Sequence, residues 1–208
     1  MKFSIIIPAH NMEKYIRKTL DSIREQDFKD YECIVVCDDC TDETEHIARQ
    51  YDAITVPVRV NNDGLARNVG LDISRGEYIL FIDADDWYVH EFVLSQLAQR
   101  IEEKPDADVI AYAIIWKYIG YVPAMSNRGV LFPHCTNKCW KKSIIAQTRF
   151  PDVYPDSDAK FHELMMEKHP MIDLWDMPIY YYNYLREGSA SSTLRRTVEI
   201  TKSYWRMK

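Results

Sequence analysis

The chain has 208 residues, of which 47% are hydrophobic and 28% are charged, and its formal net charge is −6. This length and composition predict one folded domain with a buried core, and the negative charge excludes a general attraction to DNA or to anionic lipid. A signal peptide and a membrane span are not expected, because Met1 and Lys2 lead directly into a short strand-like run.

The first 105 residues alternate between two apolar patterns. Short apolar runs bounded by polar residues or turns predict buried strands at residues 3–8, 32–37, 53–60 and 78–83. Apolar residues at helical spacing predict helices within residues 11–23, 42–51, 65–73 and 90–104, and residues 61–64 are predicted to form a turn. In the third helix, Leu65, Val69 and Ile73 are expected on the buried face, with Arg67 and Asn68 on the polar side. The alternation predicts an α/β domain with a mostly parallel, Rossmann-like sheet flanked by helices.

The fourth strand ends in three carboxylates, Asp83, Asp85 and Asp86. Ligands bind at the carboxyl edge of open α/β sheets, so these acids are expected at the mouth of a site. Three close carboxylates repel one another, and a hard divalent cation with oxygen ligands relieves that repulsion. The Asp83-x-Asp85 pair therefore predicts a metal-nucleotide site, and the alternative is a solvated strand end that starts a helix.

The loop after the first strand bears on how phosphate is bound. Dinucleotide-binding domains place a glycine-rich loop there, whose backbone amides surround phosphate groups. Residues 8–13 contain no glycine. Phosphate must then be neutralised in another way, and a cation held by Asp85 is the available one.

The five cysteines are an odd number in a chain without an export signal, which indicates a reducing compartment. A cytoplasmic location is therefore expected, with the inner face of the membrane as an alternative. Cys37 and Cys40 form a C-x-x-C pair that a redox protein could use, and with Cys135 and Cys139 they could be imagined as a zinc site. Small half-buried cysteines are favoured over both. The two acids between Cys37 and Cys40 raise the thiol pKa, which argues against redox chemistry. The C-x3-C spacing of Cys135 and Cys139 is looser than that of common zinc sites, which argues against zinc.

The second half has a weaker pattern. A strand is predicted at residues 109–116, an aromatic loop at 117–132, a helix after 156–158 and an aromatic strand at 178–184. Residues 186–193 are predicted to form a flexible loop. The expected organisation is a nucleotide-binding half at 1–105, a less regular acceptor-side half of the same domain at 106–194, and a basic tail at 195–208.

Four segments in this order, each at a predicted strand end, carry a resemblance to a known family: residues 4–11, 34–42, 62–70 and 76–86. By them the chain resembles the inverting family 2 glycosyltransferases, which have the GT-A, or nucleotide-diphospho-sugar transferase, fold. The resemblance covers the first 105 residues closely and residues 138–191 more loosely.

The resemblance implies a metal-dependent enzyme that transfers a sugar from a nucleoside diphosphate sugar, with a UDP-sugar favoured, to a hydroxyl acceptor with inversion. It implies Mn²⁺ or Mg²⁺ as the cofactor, with Asp85 as its ligand, and Asp39 as the acceptor of a hydrogen bond from the base. The donor-binding residues that it implies are Pro8, Ala9, His10, Asp39, Arg67, Asn68, Asp83, Ala84, Asp85 and Arg186. The resemblance also implies that Arg186 belongs to a segment that is mobile and closes over the donor phosphates.

The general base implied by the resemblance is Asp158. The family usually has a Glu-Asp pair before a helix, and this chain has Ser157-Asp158 in that place. Asp156 is the alternative base. The chain also departs from the family where His10 replaces a common aromatic residue and Cys40 replaces a glycine.

The expected partners are the nucleotide-sugar donor and a carbohydrate, lipid-linked or other hydroxyl acceptor. No stable nucleic-acid partner is expected, and peripheral contact with a membrane is left open. The altered Ser157-Asp158 pair keeps a second hypothesis open, a nucleotide-sugar-binding module of the same fold with impaired catalysis.

Overall fold

The structure is a computed structural model that describes residues 1–126, 129–154 and 156–183. Its first half alternates strands and helices as predicted. The elements are β1 (Phe3–Ala9), α1 (Ile16–Arg24), β2 (Tyr31–Asp38), α2 (Thr44–Arg49), β3 (Ile54–Val58), α3 (Asp63–Ile73) and β4 (Tyr78–Phe81). These four strands pair in parallel, with β1 between β2 and β4.

The second half adds strands of both directions. Its elements are β5 (Trp87–Tyr88), α4 (Val93–Glu103), β6 (Val109–Trp116), β7 (Gly120–Val122), β8 (Lys138–Lys141), α5 (Lys142–Ile145), α6 (Ser157–Met166) and β9 (Ile172–Tyr182). Within the described residues the sheet order is β3-β2-β1-β4-β8-β6-β9-β5, with β7 on β6. The α/β class is confirmed, and parallel pairing predominates only in the first half, because β8 runs antiparallel to both β4 and β6.

The sheet has a hydrophobic core on each face. All seven residues of β1 are buried, and alternate side chains enter different cores. Ile5 and Ile7 pack on the side of α1, whereas Ile6 packs on the side of α3 and α6. Burial on both faces explains why the strand has a continuous apolar run, since alternation with polar residues is expected only where one face meets water.

The buried face of α3 differs from the predicted one. Ile73 is 39% exposed, and Leu65 and Val69 are only partly buried. The buried positions are Gly64, Ala66, Arg67, Gly70 and Leu71. A Cβ atom at Gly70 would lie 2.4 Å from Ile6 Cγ2, so the helix approaches β1 too closely for larger residues on this face. The apolar periodicity identified the helix correctly but assigned its orientation wrongly.

The turn predicted at residues 61–64 is the start of α3. Asn62 is the N-cap, and its side-chain oxygen accepts hydrogen bonds from the N–H groups of Gly64 and Leu65. The aromatic strand expected at 178–184 is observed as the longer β9. None of the helices in the described part of the chain is long and apolar enough to cross a membrane.

The five cysteines, all within the described residues, are free thiols. Cys37 lies in β2 and Cys139 in β8, and β1 and β4 lie between these strands. Three strand spacings correspond to about 14 Å, which is too far for one zinc ion to bind both pairs. The four-cysteine zinc site is therefore excluded.

Candidate functional site

A cavity of about 1050 Å³ lies at the carboxyl ends of β1, β2 and β4. A ligand site was predicted from the sequence at this edge of the sheet. The lining includes seven of the predicted donor-binding residues: Pro8, Ala9, His10, Arg67, Asp83, Ala84 and Asp85. It also includes acidic and amide residues that the sequence analysis did not select, which are Asp38, Asp42, Asp63 and Asn62.

Asp38 organises the β2 side of the cavity. Its buried carboxylate accepts hydrogen bonds from the backbone N–H groups of Val60, Asn61 and Asn62, at 2.8, 3.0 and 3.0 Å. His10 Nδ1 lies 2.7 Å from the Asp38 carbonyl oxygen, which the ring reaches as a donor. Asp38 thereby joins the loop before α3 to the end of β2.

Asp39, the predicted partner of the base, is not among the residues that line this cavity. Its carboxylate lies 3.4 Å from the exposed guanidinium of Arg59, and its φ of +48° marks the sharp turn after β2. Asp38, one position earlier, is among the lining residues, and its carboxylate accepts three backbone N–H groups.

Arg67 links the acids of α3 and β4. Its guanidinium donates to Asp63 Oδ2 at 2.5 Å and to Asp83 Oδ1 at 2.7 Å, and the side chain is 3% exposed. Burial lowers the pKa of Arg67, but nearby acidic groups, among them Asp83, Asp158 and Asp63, raise it well above its usual value. Arg67 is therefore a fixed positive charge within a set of carboxylates.

The three carboxylates that follow β4 have different environments. Asp83 and Asp85 line the cavity and are partly buried. Burial raises the pKa of Asp83 to about 6, with the charge of Arg67 acting in the opposite direction and that of Asp85 adding to the rise. Asp86 is fully buried, where it accepts hydrogen bonds from Tyr180 Oη and the Asn183 N–H, so the mouth of the site holds two of these acids rather than three.

The donor set of Asp83 and Asp85 fits a hard cation in part. Carboxylate oxygens are the ligands that Mg²⁺ and Mn²⁺ prefer, and a bound cation would favour the ionised form of Asp83 against the burial that raises its pKa. Across the described residues, no group of three or more His, Cys, Asp or Glu side chains converges as a metal cage. The arrangement thus fits a cation that takes its remaining ligands from a phosphorylated substrate and water, rather than one held by protein alone.

Asp158 lies in the first turn of α6, behind Arg67. Its Oδ2 accepts a hydrogen bond from the Cys135 N–H at 3.3 Å and lies 3.8 Å from His134 Nδ1. Its Oδ1 is buried and has no hydrogen-bond partner within the described residues. Burial raises the pKa of Asp158, but the charge of Arg67 and the contacts with His134 and Cys135 outweigh burial and hold that pKa well below the usual range. The carboxylate is therefore ionised, its Oδ1 is buried with no hydrogen-bond partner within the described residues, and Asp158 is not among the residues that line the cavity.

Lys138 is a buried cation that the sequence analysis did not select. Its side chain is 0% exposed and its ammonium donates to the Phe132 and His134 carbonyl oxygens, at 2.6 and 2.7 Å, and to Asn137 Oδ1 at 2.7 Å. These bonds fix the loop whose Cys135 N–H contacts Asp158. The one signal in the sequence was a lysine inside an apolar strand segment, at Lys138-Cys139-Trp140.

The remaining predicted residues lie elsewhere. The Asn68 amide donates to the Phe150 carbonyl and accepts from the Phe150 N–H, both at 2.8 Å, so its polar groups tie α3 to the following loop. Ser157 Oγ lies 3.3 Å from Asp63 Oδ1, while Asp156 precedes the helix. Arg186 lies outside the described residues.

Comparison with known proteins gives consistent matches. A family model described as Glycosyl transferase family 2 matches residues 4–153. The poly(ribitol-phosphate) beta-N-acetylglucosaminyltransferase TarS of Staphylococcus aureus (strain Mu50) is 40% identical, over 93% of this chain and 37% of TarS. The chain thus spans little more than a third of this curated relative.

Solved structures agree. The structure of S. aureus TarS residues 1–349 in complex with UDP-GlcNAc has a TM-score of 0.81 and 27% identity, covering 93% of this chain and 61% of that one. A mannosyltransferase from Pyrobaculum calidifontis, in complex with GDP-Man and Mn²⁺, has a TM-score of 0.74 and 16% identity, covering 99% and 63%. The second likeness concerns the fold alone.

Proposed function

The chain belongs to glycosyl transferase family 2, and on that premise we propose that it is an enzyme that moves a sugar from a nucleoside diphosphate sugar to a hydroxyl group. Its fold is the GT-A fold expected from the sequence. The observation that carries the proposal is the cavity at the carboxyl edge of the sheet, where His10, Arg67, Asp83 and Asp85 meet. UDP is the favoured nucleotide, because TarS was crystallised with UDP-GlcNAc.

The donor would lie along the sheet edge. The nucleoside fits the β1 and β2 side, where Pro8, Ala9 and His10 form one wall and Asp38 holds the opposite loop in place. The diphosphate fits the β4 side, where Asp83 and Asp85 lie.

Mn²⁺ or Mg²⁺ is part of the proposal, with Asp85 as the main protein ligand. Such a cation, when bound, stabilises the negative charge that develops on a leaving diphosphate. Arg67 does not replace it, because two of its N–H groups already bind Asp63 and Asp83.

The proposed general base is Asp158. Its ionised carboxylate has a buried Oδ1 with no hydrogen-bond partner within the described residues, so the acceptor hydroxyl has to reach that oxygen, and the lowered pKa of Asp158 makes it a weak base. One carboxylate that assists one attack opposite the leaving group gives a single displacement, and hence inversion at the anomeric carbon.

The acceptor in the proposal is a carbohydrate, lipid-linked or polyol hydroxyl group. TarS is named for a poly(ribitol-phosphate) acceptor, which makes a polyol phosphate the first acceptor to test. A cytoplasmic location with peripheral membrane contact, and the absence of a stable nucleic-acid partner, remain part of the same proposal.

Donor binding is tested by thermal shift with UDP, UDP-GlcNAc and GDP-Man, each with and without Mn²⁺. A ligand that binds only the native state raises its apparent stability. We expect the largest shift with a uridine nucleotide plus Mn²⁺, and its loss in Asp85→Asn. The matched control is Asp106→Asn, an exposed acid before β6 at the opposite edge of the sheet. No stabilisation by any of the nucleotides with Mn²⁺ would contradict the donor site.

Catalysis is tested separately with Asp158→Asn. We expect transfer to fall by about a hundredfold or more while the UDP thermal shift is retained, because general-base catalysis contributes roughly 10²–10⁴-fold. Unchanged transfer in this variant would reject Asp158 as the base. A native protein that binds UDP-GlcNAc but transfers to none of the acceptor classes would favour the binding-module hypothesis.

A further inference from the structure

His134 is a partly exposed histidine beside the proposed base, and the proposed mechanism does not use it. Its Nδ1 lies 3.8 Å from Asp158 Oδ2, which is an ion-pair distance when the ring is protonated. The next residue, Cys135, donates its backbone N–H to the same oxygen at 3.3 Å. Two consecutive residues of one loop therefore converge on Asp158 Oδ2, while Oδ1 has no hydrogen-bond partner within the described residues.

The loop that carries His134 is held by buried hydrogen-bond donors. The Lys138 ammonium donates to the His134 carbonyl oxygen at 2.7 Å. The indole N–H of the buried Trp140 donates to the Cys135 carbonyl oxygen at 3.2 Å. Because these bonds fix the backbone of both residues, the imidazole stays close to the carboxylate. The His134 side chain is 39% exposed, so its ring can exchange protons with water.

The charge on His134 changes the strength of Asp158 as a base. Burial raises the pKa of Asp158, whereas the charge of Arg67, followed by the contacts with His134 and Cys135, lowers it. A stronger base removes the proton of an attacking hydroxyl group more effectively, so a positive imidazolium beside Asp158 slows transfer. Histidine is the side chain whose charge ordinarily changes between about pH 5 and 8. A neutral His134 thus leaves Asp158 a stronger base than a protonated one.

Four other titratable or charged groups surround the loop. Arg67 of α3 stays charged, since nearby acidic groups raise its pKa well above its usual value. Burial raises the pKa of the Cys135 thiol, which stays neutral. Burial lowers the pKa of His162 in α6 to about 4, and the charges of Lys138 and His134 act in the same direction, so this ring is neutral near pH 7. Burial lowers the pKa of Lys138 to about 7, so Lys138 is the group to be distinguished from His134 by experiment.

We propose that His134 is a positioning residue for the general base, which holds Asp158 through Oδ2 and permits sugar transfer when its imidazole is neutral. The inference rests on the proposed function and deepens it by naming the group that makes transfer depend on pH. In the neutral ring we assign the proton to Nδ1, because this nitrogen faces Oδ2. A distance of 3.8 Å is longer than a hydrogen bond, and catalytic contacts often shorten when substrate binds.

The test follows UDP release from UDP-GlcNAc with Mn²⁺, with water as the acceptor. We expect the native kcat to rise about tenfold from about pH 5.5 to about pH 8, because loss of a neighbouring positive charge strengthens the base. His134→Gln keeps an N–H donor without a titrating charge, so its kcat should change less than about threefold over this range. His134→Lys stays charged, so at about pH 8 its kcat should be about tenfold below that of the native protein. The donor KM should be unchanged in both variants, and His46→Gln, at an exposed histidine of α2, is the matched control.

A double-mutant cycle of His134→Gln with Asp158→Asn, measured as shifts in the urea midpoint, tests the pair without turnover. We expect coupling at about pH 5.5 that is largely lost at about pH 8, because only the protonated ring forms an ion pair. An absence of coupling at both pH values would overturn the inference. The same pH dependence of kcat in the native protein and in His134→Gln would also overturn it, and would assign that dependence to Asp83 or Lys138. Coupling without UDP binding or UDP release would reject the proposed function, while the pairing of His134 with Asp158 stands.

Discussion

Replacement of Lys138 by Met is expected to destabilise the fold and to disturb Asp158. The Lys138 ammonium is fully buried, and all three of its protons are donated to the oxygens of Phe132, His134 and Asn137. Burial lowers the pKa of Lys138 to about 7, and the charge of Asp158 acts in the opposite direction. Three acceptors need three protons, so the geometry fits the charged form.

The magnitude follows from what Met leaves behind. The thioether has nearly the length of the lysine chain but donates no hydrogen bond, so three acceptors lose their partner, each at about 1–3 kcal/mol when buried. Part of this is offset, because an ammonium no longer has to be desolvated, which costs several kcal/mol. We expect a net loss of about 3 kcal/mol in the free energy of unfolding, measured by urea denaturation followed by circular dichroism.

The site should respond beyond this loss of stability. Once the loop at residues 132–137 is released, the Cys135 N–H no longer holds Asp158 Oδ2, so the carboxylate loses its orientation. We expect kcat to fall by about tenfold under conditions where the variant is folded, with an unchanged KM for the donor, since misplacement of a catalytic group affects the reacting geometry. Lys138→Gln retains two donor protons, so its free energy of unfolding and its kcat should both fall less than those of the Met variant. A Met variant with native urea midpoint and native kcat would refute the reasoning.

Three further changes test other contacts. Gly70→Ala should lower the free energy of unfolding by about 1–3 kcal/mol, because the added Cβ would overlap Ile6. An increase in the free energy of unfolding, from the better helix propensity of Ala, would contradict this. Asn68→Ala should lower stability by about 1–3 kcal/mol without weakening UDP binding, since its amide serves Phe150; weaker UDP binding alone would restore a donor role. Burial lowers the pKa of His162 to about 4, so the stability that its neutral form allows is present above pH 6.5 and is lost as the pH falls toward 4. The urea midpoint of His162→Gln should therefore depend less on pH between 6.5 and 4 than that of the native protein.

The sheet edge was predictable from the sequence because its signals are local and repeated. Continuous apolar runs such as residues 78–82 specify strands buried on both faces, and the acids that follow them must then lie at one edge. The cavity lining confirms that Asp83 and Asp85 come together there. Asp86 was misplaced because its partners, Tyr180 and Asn183, are almost a hundred residues away in the sequence.

Other features could not be read from a pattern. The orientation of α3 depends on the space at Gly70 and on Arg67, whose charge makes it appear as a surface residue in any periodicity. Lys138 donates to backbone carbonyl oxygens, and every residue has such an oxygen. No side-chain motif in the sequence therefore identifies its partners. Asp39 was implied by the resemblance alone, and its position outside the cavity lining depends on the turn after β2, where its φ is +48°.

The charges of the site explain why the donor and a cation are proposed together. Asp63, Asp83 and Asp158 all act on the buried cation Arg67, and Asp85 adds another carboxylate to the lining of the cavity. A nucleoside diphosphate brings further negative charge, and Arg67 has little to offer it, because its guanidinium already bonds two carboxylates and is 3% exposed. The protein alone therefore repels the diphosphate at this edge. A divalent cation between Asp85 and the phosphates would turn this repulsion into attraction. Donor affinity should therefore depend more strongly on the metal than on any one of the side chains of Pro8, Ala9 and His10.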